Sequence, residues 1–313
     1  MSFAFVFPGQ GSQTVGMGRE FIENFFTARY TLQEVDEALS HNLTQLILKG
    51  PAEELNLTKN TQPALLAISL AILRTLEKES HKKAADLVSY MAGHSLGEYS
   101  ALCAAGAFSL SQASQLVRLR GQAMQEAVPL GYGAMAAILG LNLEQVENLL
   151  VEHQKPDHLC VIANDNAPGQ VVISGHTEAV HEAMKNAMNA KRAVLLPVSA
   201  PFHCPLMQPA AEIMYRAFEQ ITFRNLDTPV VLNVTAMPTK EGEILADSLV
   251  RQVTGRVRWR ESIQNLASLG CHHVIELGSG KVLAGLIKRI VPDLKVSSMN
   301  TPEDLDKFLK ENF

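Results

Sequence analysis

The run Leu87-Val88-Ser89-Tyr90-Met91-Ala92, continued by Gly93-His94-Ser95-Leu96-Gly97, decides the fold. Its first six residues are mostly apolar and of strand length. The next five fit G-x-S-x-G, and a helical pattern starts at Leu96. Strand, tight turn and helix in that order make a nucleophile elbow, whose backbone passes so close to itself that small residues must flank the serine. Gly93 and Gly97 supply those flanks. Such a turn exposes the serine oxygen and aims the following N–H, at a helix N-terminus, toward a developing oxyanion. A five-residue pattern with two glycines also arises by chance, so the strand before it and the helix after it carry the argument.

Working outward, further apolar runs of strand length lie at Ser2–Phe7, Val230–Val234 and Val274–Leu277. Helical patterns fall at about Arg19–Leu39, Gln62–Lys78, Leu96–Ala105, Ser111–Ala127, Leu206–Gln220 and Arg260–Leu269. Continuous apolar strands alternating with helices indicate a mostly parallel sheet covered on both faces. The middle of the chain has its own order: strand 134–139, helix 143–153, strands 159–163 and 170–174, helix 177–189, strand 193–198. That is the β-α-β-β-α-β order of a ferredoxin-like unit. The expectation is an α/β fold in which residues 1–127 and 199–313 form the large body and 128–198 an inserted small domain.

The 313 residues are 47% hydrophobic and 19% charged, with a formal net charge of −5. This is a globular composition without the basic face of a nucleic-acid binder. Four scattered cysteines (Cys103, Cys160, Cys204, Cys271) form no CxxC pair, so neither a disulfide framework nor a zinc site is expected and a reducing cytoplasm fits. MSFAFVFPGQG lacks a basic n-region, and the apolar stretch Pro63–Leu73 is too short to span a bilayer.

A serine needs a base within hydrogen-bond reach. Of ten histidines, His94 lies on the elbow itself and is expected to point away from Ser95. His41, His81, His153, His158, His176 and His181 sit in polar stretches and read as solvated; His272 and His273 lead into a strand and read as packing residues. His203 differs, because it lies in the stiff loop Ser199-Ala200-Pro201-Phe202-His203-Cys204-Pro205 between a strand and a helix. No acid is obviously paired with it, and a backbone carbonyl would serve to orient its Nδ1–H. Gly9-Gln10-Gly11 follows the first strand but has Thr14 where a dinucleotide fingerprint needs glycine and Met17 where a P-loop needs lysine. Gly278-Ser279-Gly280-Lys281 completes neither pattern.

Phe7-Pro8-Gly9-Gln10-Gly11-Ser12-Gln13, Gly93-His94-Ser95-Leu96-Gly97-Glu98-Tyr99 and Phe202-His203-Cys204-Pro205-Leu206-Met207 together resemble the malonyl-CoA:acyl-carrier-protein transacylases of type II fatty acid synthesis. Asn166-Ala167-Pro168-Gly169-Gln170 and Val250-Arg251-Gln252 fit the same family, so the resemblance spans essentially the whole chain. It implies an α/β-hydrolase-like body with a ferredoxin-like insertion. It further implies Ser95 as nucleophile, His203 as base, and the N–H groups of Gln10 and Leu96 as the oxyanion hole. Arg120 would bind the free malonyl carboxylate, Asn166 would line the site, and the carbonyl of Gln252 would orient His203. A guanidinium suits such a carboxylate because it meets it with two parallel hydrogen bonds, and an acetyl group would leave it unpaired. Arg118, on another helix face, reads as solvated.

The implied partners are malonyl-CoA and acyl carrier protein, with no metal, no cofactor, no nucleic acid and no membrane, and with the chain a monomer. Lys191-Arg192 and Lys288-Arg289 are candidate contacts for an acidic carrier. The competing expectations are a polyketide acyltransferase acting in trans, a serine thioesterase or other hydrolase, and a carrier-binding module with a decayed site.

Overall fold

A computed structural model describes residues 2–155, 157–198 and 200–313. The expected boundary residue Ser199 lies outside the described residues. The larger sheet contains β1 (Phe3–Phe7), β2 (Tyr90–Gly93), β8 (Val230–Val231), β9 (Pro238–Thr239), β10 (His273–Leu277) and β11 (Lys295–Met299), in the spatial order β11-β10-β1-β2-β8-β9. All neighbours are parallel except β8 and β9.

Strand β1 is central, and its alternate residues enter different cores, as the two-residue period of a strand requires. Phe5 and Phe7 pack with Leu32, Leu65, Ile72, Leu102 and Val117. These come from helices Phe26–Leu39, Thr58–Ser80, Leu96–Ala104 and Leu110–Glu126. Ala4 and Val6 face Trp259, Ile263, Leu286 and Ile287, from helices Trp259–Ser268 and Val282–Ile290. With both faces covered, the sheet is the buried parallel kind that the uninterrupted apolar strands predict.

The second sheet contains β3 (Gly133–Leu139), β4 (Gln154–Lys155), β5 (His158–Ala167), β6 (Gln170–His176) and β7 (Arg192–Leu195), ordered β4-β5-β6-β3-β7. It is antiparallel throughout. Helices Leu143–Leu149 and Thr177–Asn186 cover one face, where Val146, Val180 and Ala183 meet Ala136, Ile138 and Ile173. The order within β3, β5, β6 and β7 is the ferredoxin-like one.

Several sequence-based boundaries shift. The helix expected over Arg19–Leu39 breaks into Arg19–Asn24 and Phe26–Leu39, because Phe25 is extended and stacks on Phe21. Residues Ala84–Leu87 turn helically before β2 starts at Tyr90. Strand β8 ends after Val231, and the following residues turn out of the ladder with the N–H of Ala236 donating to the carbonyl of Leu232. Among the described residues no helix is long and apolar enough to cross a membrane.

Candidate active site

Strand β2 runs into helix Leu96–Ala104 through Ser95, whose φ of 53° and ψ of −107° lie where an L-residue rarely rests. A Cβ on Gly93 would strike the carbonyl of Gly97, and one on Gly97 would strike the carbonyl of Phe7. Both glycines are therefore demanded by close approach. The strained turn is held from outside: the Ser95 N–H donates to Asn233 Oδ1 (2.8 Å), and Asn233 Nδ2 donates to the Gly93 carbonyl (2.7 Å). The Asn233 N–H donates in turn to Glu98 Oε2 (2.8 Å). Asn233 and Glu98 were missed by sequence reasoning. The one available signal was an acid, Glu98, inside an otherwise apolar helix.

His203 sits with φ of 58° in the loop before helix Gln208–Phe218, and it is 4% exposed. Its Nδ1 lies 2.8 Å from the Gln252 carbonyl and its Nε2 lies 2.7 Å from Ser95 Oγ. A carbonyl only accepts, so Nδ1 carries the proton and Nε2 is left to accept from the serine hydroxyl. Gln252 is in the last turn of helix Leu245–Thr254, where carbonyls lack intrahelical donors, so one is available for the imidazole. The Gln252 side chain also enters the site: Oε1 accepts from Arg120, and Nε2 donates to the Ser95 carbonyl (2.9 Å) and to Glu98 Oε2 (3.1 Å).

Arg120, on helix Leu110–Glu126, is 1% exposed. Its Nη1 donates to Gln62 Oε1 (2.8 Å), and its Nη2 donates to Gln252 Oε1 (2.9 Å) and Ser95 Oγ (3.1 Å). Its Nε has no partner, and among the described residues it forms no ion pair with a carboxylate. Arg118 differs from expectation: it is half-buried and donates to Asn60 Oδ1 (2.7 Å), because the side chain folds back onto helix Thr58–Ser80.

His203, Arg120 and Glu98 are buried, and burial shifts the ionisation of each. Burial and then the Arg120 charge lower the His203 pKa to about 3, so the imidazole rests neutral. Burial raises the Glu98 carboxyl to about 7 against the pull of Asn233, Gln252 and Arg120. Register places Phe7 beside Gly93, which brings the Pro8-Gly9-Gln10 turn alongside the elbow. Neither the Gln10 nor the Leu96 N–H donates a hydrogen bond among the described residues, whereas the Ser95 N–H is engaged by Asn233. Asn166 reaches the site at one remove, through a 2.7 Å hydrogen bond to His94 Nε2. His94 packs edge-on to Trp259.

Two histidines read as solvated are buried. His153 is 3% exposed under helix Thr177–Asn186, and His176, 7% exposed, accepts from the Leu159 N–H (2.8 Å). Local polarity in sequence does not report what a neighbouring strand covers. The candidate docking pairs are also unequal. Arg289 donates to Gln170 Oε1 (2.6 Å) and the Pro168 carbonyl (2.8 Å), tying the large body to the β5–β6 turn, while Lys191 and Arg192 are exposed.

A serine hydroxyl bonded to a neutral imidazole, nearby N–H groups without acceptors and a buried guanidinium without a carboxylate partner are equipped for acyl transfer with a negatively charged acyl group. The family model described as acyl transferase domain matches residues 4–300. The malonyl CoA-acyl carrier protein transacylase of Escherichia coli K12 is 47% identical over 302 residues, 96% of each chain. The crystal structure of an acyl-carrier-protein-S-malonyltransferase from Bartonella henselae superposes with a TM-score of 0.94 at 48% identity, covering 99% of both chains. A malonyl-transacylase solved in complex with a type II polyketide acyl-carrier protein superposes with a TM-score of 0.95 at 44% identity, covering 100% of both. On these grounds the chain belongs to the acyl transferase domain family, among its malonyl CoA-acyl carrier protein transacylases.

Proposed function

We propose that this chain transfers a malonyl group from malonyl-CoA to the phosphopantetheine thiol of an acyl carrier protein, through a malonyl ester on Ser95. The observation that carries the reading is a buried guanidinium that lacks a carboxylate partner yet hydrogen-bonds the nucleophile itself, Arg120 Nη2 to Ser95 Oγ at 3.1 Å. A malonyl thioester has its free carboxylate one carbon from the reacting carbonyl. A cation this close to the serine therefore matches that spacing.

In the proposed cycle Ser95 Oγ attacks the thioester carbon while its proton passes to His203 Nε2. The oxyanion is held by the N–H groups of Gln10 and Leu96. The C–S bond then breaks, and coenzyme A leaves with the proton from His203. The carrier thiol gives its proton to the same nitrogen, attacks the ester carbon, and Ser95 recovers its hydrogen. In this proposed cycle the chain works as a monomer without a cofactor. A separate antiparallel sheet with its own apolar cluster supports treating residues 128–198 as an inserted unit in a body of 1–127 and 199–313. The pathway of the relatives supports a cytoplasmic setting.

Fatty acid synthesis is the main reading for the carrier. The polyketide carrier in one structural relative favours a second, transfer to a polyketide carrier. Labelled malonyl-CoA and acetyl-CoA, each offered with either carrier, test these readings. Wild type should form a malonyl-enzyme detectable by mass spectrometry, and Ser95→Ala none. Arg120→Ala should lose malonyl transfer by about 10²-fold or more, the scale of a lost charge-assisted pair in a dry site, with acetyl transfer little changed. Equal loss on both substrates would make Arg120 structural, and consumption of malonyl-CoA without a carrier product would favour the hydrolase.

A further inference from the structure

Strand β5 has two functional ends. Asn166 at one end touches the elbow through His94; His158 opens the other, about 25 Å away along an extended strand. Beside His158 lie His153, closing the 3-10 turn Val151–His153, and Glu182 on helix Thr177–Asn186. His158 Nε2 is 2.8 Å from Glu182 Oε2, and His153 Nδ1 is 3.9 Å from the same oxygen. The three ligand atoms all lie within 4.8 Å of one another. His153 is 3% exposed, and among the described residues its Nδ1 has no hydrogen-bond partner. A buried ring nitrogen without a partner is costly, and here a second imidazole and a carboxylate lie close to it.

We infer that His153, His158 and Glu182 form a binding site for a divalent transition-metal ion of the zinc type. Two imidazole nitrogens and one carboxylate oxygen are the donor set such borderline ions favour, and the exposed side of Glu182 leaves room for water as a fourth ligand. Each ligand comes from a different element: the turn after helix Leu143–Leu149, strand β5 and helix Thr177–Asn186. An ion there would pin the edge of the small sheet to the helix above it. Neither Ser95 nor Arg120 takes part, so the role is structural and separate from the transfer site.

The test uses the full chain without an affinity tag, titrated with Co²⁺ while visible absorption is recorded, then with Zn²⁺ in competition. One equivalent of Co²⁺ should give a saturable d–d band that Zn²⁺ abolishes, and Zn²⁺ should raise the melting temperature reversibly with chelator. His158→Ala and Glu182→Gln, both at partly exposed positions, should each weaken binding at least about ten-fold while leaving malonyl transfer unchanged. No saturable band in wild type, or a band unaltered in both variants, would overturn the assignment; the second result would place the ion on other histidines or on the cysteines.

Discussion

Ser95 Oγ lies between an imidazole and a guanidinium, and the two work against each other until substrate arrives. Arg120 is the second cause, after burial, of the low His203 pKa, so the free enzyme holds a neutral but weak base. In the proposed cycle a malonyl carboxylate paired with Arg120 would cancel that charge and strengthen the base only when that acyl group is in place. Following the His203 ring by NMR, the imidazole should titrate far below the ordinary 6.5 in wild type and move upward in Arg120→Ala, while staying depressed by burial. An unmoved titration would remove Arg120 from the tuning of the base. Glu98 poses the opposite problem. Its folded-state pKa of about 7 lies above the ordinary carboxyl value, so its protonated form favours the fold at low pH and that stability is lost as pH rises from about 4.5 through 7. Glu98→Gln should therefore gain on wild type in thermal unfolding as pH rises from 5 to 8, by up to about 3 kcal/mol, while transfer stays within a few-fold. Glu98→Ala should lose transfer by about 10²-fold through misplaced Gln252. Equal pH dependence in wild type and Glu98→Gln would mean that the carboxyl is ionised throughout.

At the scale of elements, the elbow depends on a clamp that no local pattern announces. Asn233 follows a two-residue strand and satisfies both Ser95 N–H and Gly93 carbonyl, so the strained serine is fixed by a residue 138 positions away. Asn233→Ala should leave those groups unsatisfied, cost about 1–3 kcal/mol in denaturant unfolding, and lower kcat rather than raise KM. A pure KM effect would assign Asn233 to substrate binding instead. The contrast between what sequence reveals and what it hides follows from range. Gly93, Ser95 and Gly97 are legible because the turn itself dictates glycine at those spacings. His203 is legible because two prolines bracket its loop. The alternating cores of β1 are legible because a strand has period two. Asn233, Gln62 and the amide of Gln252 are contacts across 58 to 157 residues, and no periodicity encodes them. The resemblance supplied the Gln252 carbonyl but not its side chain, which meets Ser95, Glu98 and Arg120 together.

For the molecule as a whole, the question is how the small sheet is held against the large one, because Asn166 and His94 meet across that seam. The C-terminal half of β5 stays paired with β6 through register shifts at Ile162/Asn164 and Asp165/Ala167, and Asn164 also bridges Val257 of the large body. The Val257 N–H donates to the Ala163 carbonyl (2.8 Å), and the Asp165 N–H donates to the Val257 carbonyl (3.0 Å). Arg260 closes the seam: its Nε contacts both Asp165 oxygens (3.0 and 2.9 Å), and its Nη2 lies 2.8 Å from Oδ2. Asp165 is 1% exposed, so removing its partner strands a carboxylate in a dry place. Arg260→Met should cost about 3 kcal/mol or more in unfolding free energy and also slow malonyl transfer, because Asn166 follows Asp165 in the chain. Adding Asp165→Asn should recover part of the stability, since the stranded charge is then gone. A loss below about 1 kcal/mol with transfer intact would show that the backbone bridge through Val257 suffices, leaving Asp165–Arg260 without weight in joining the two sheets.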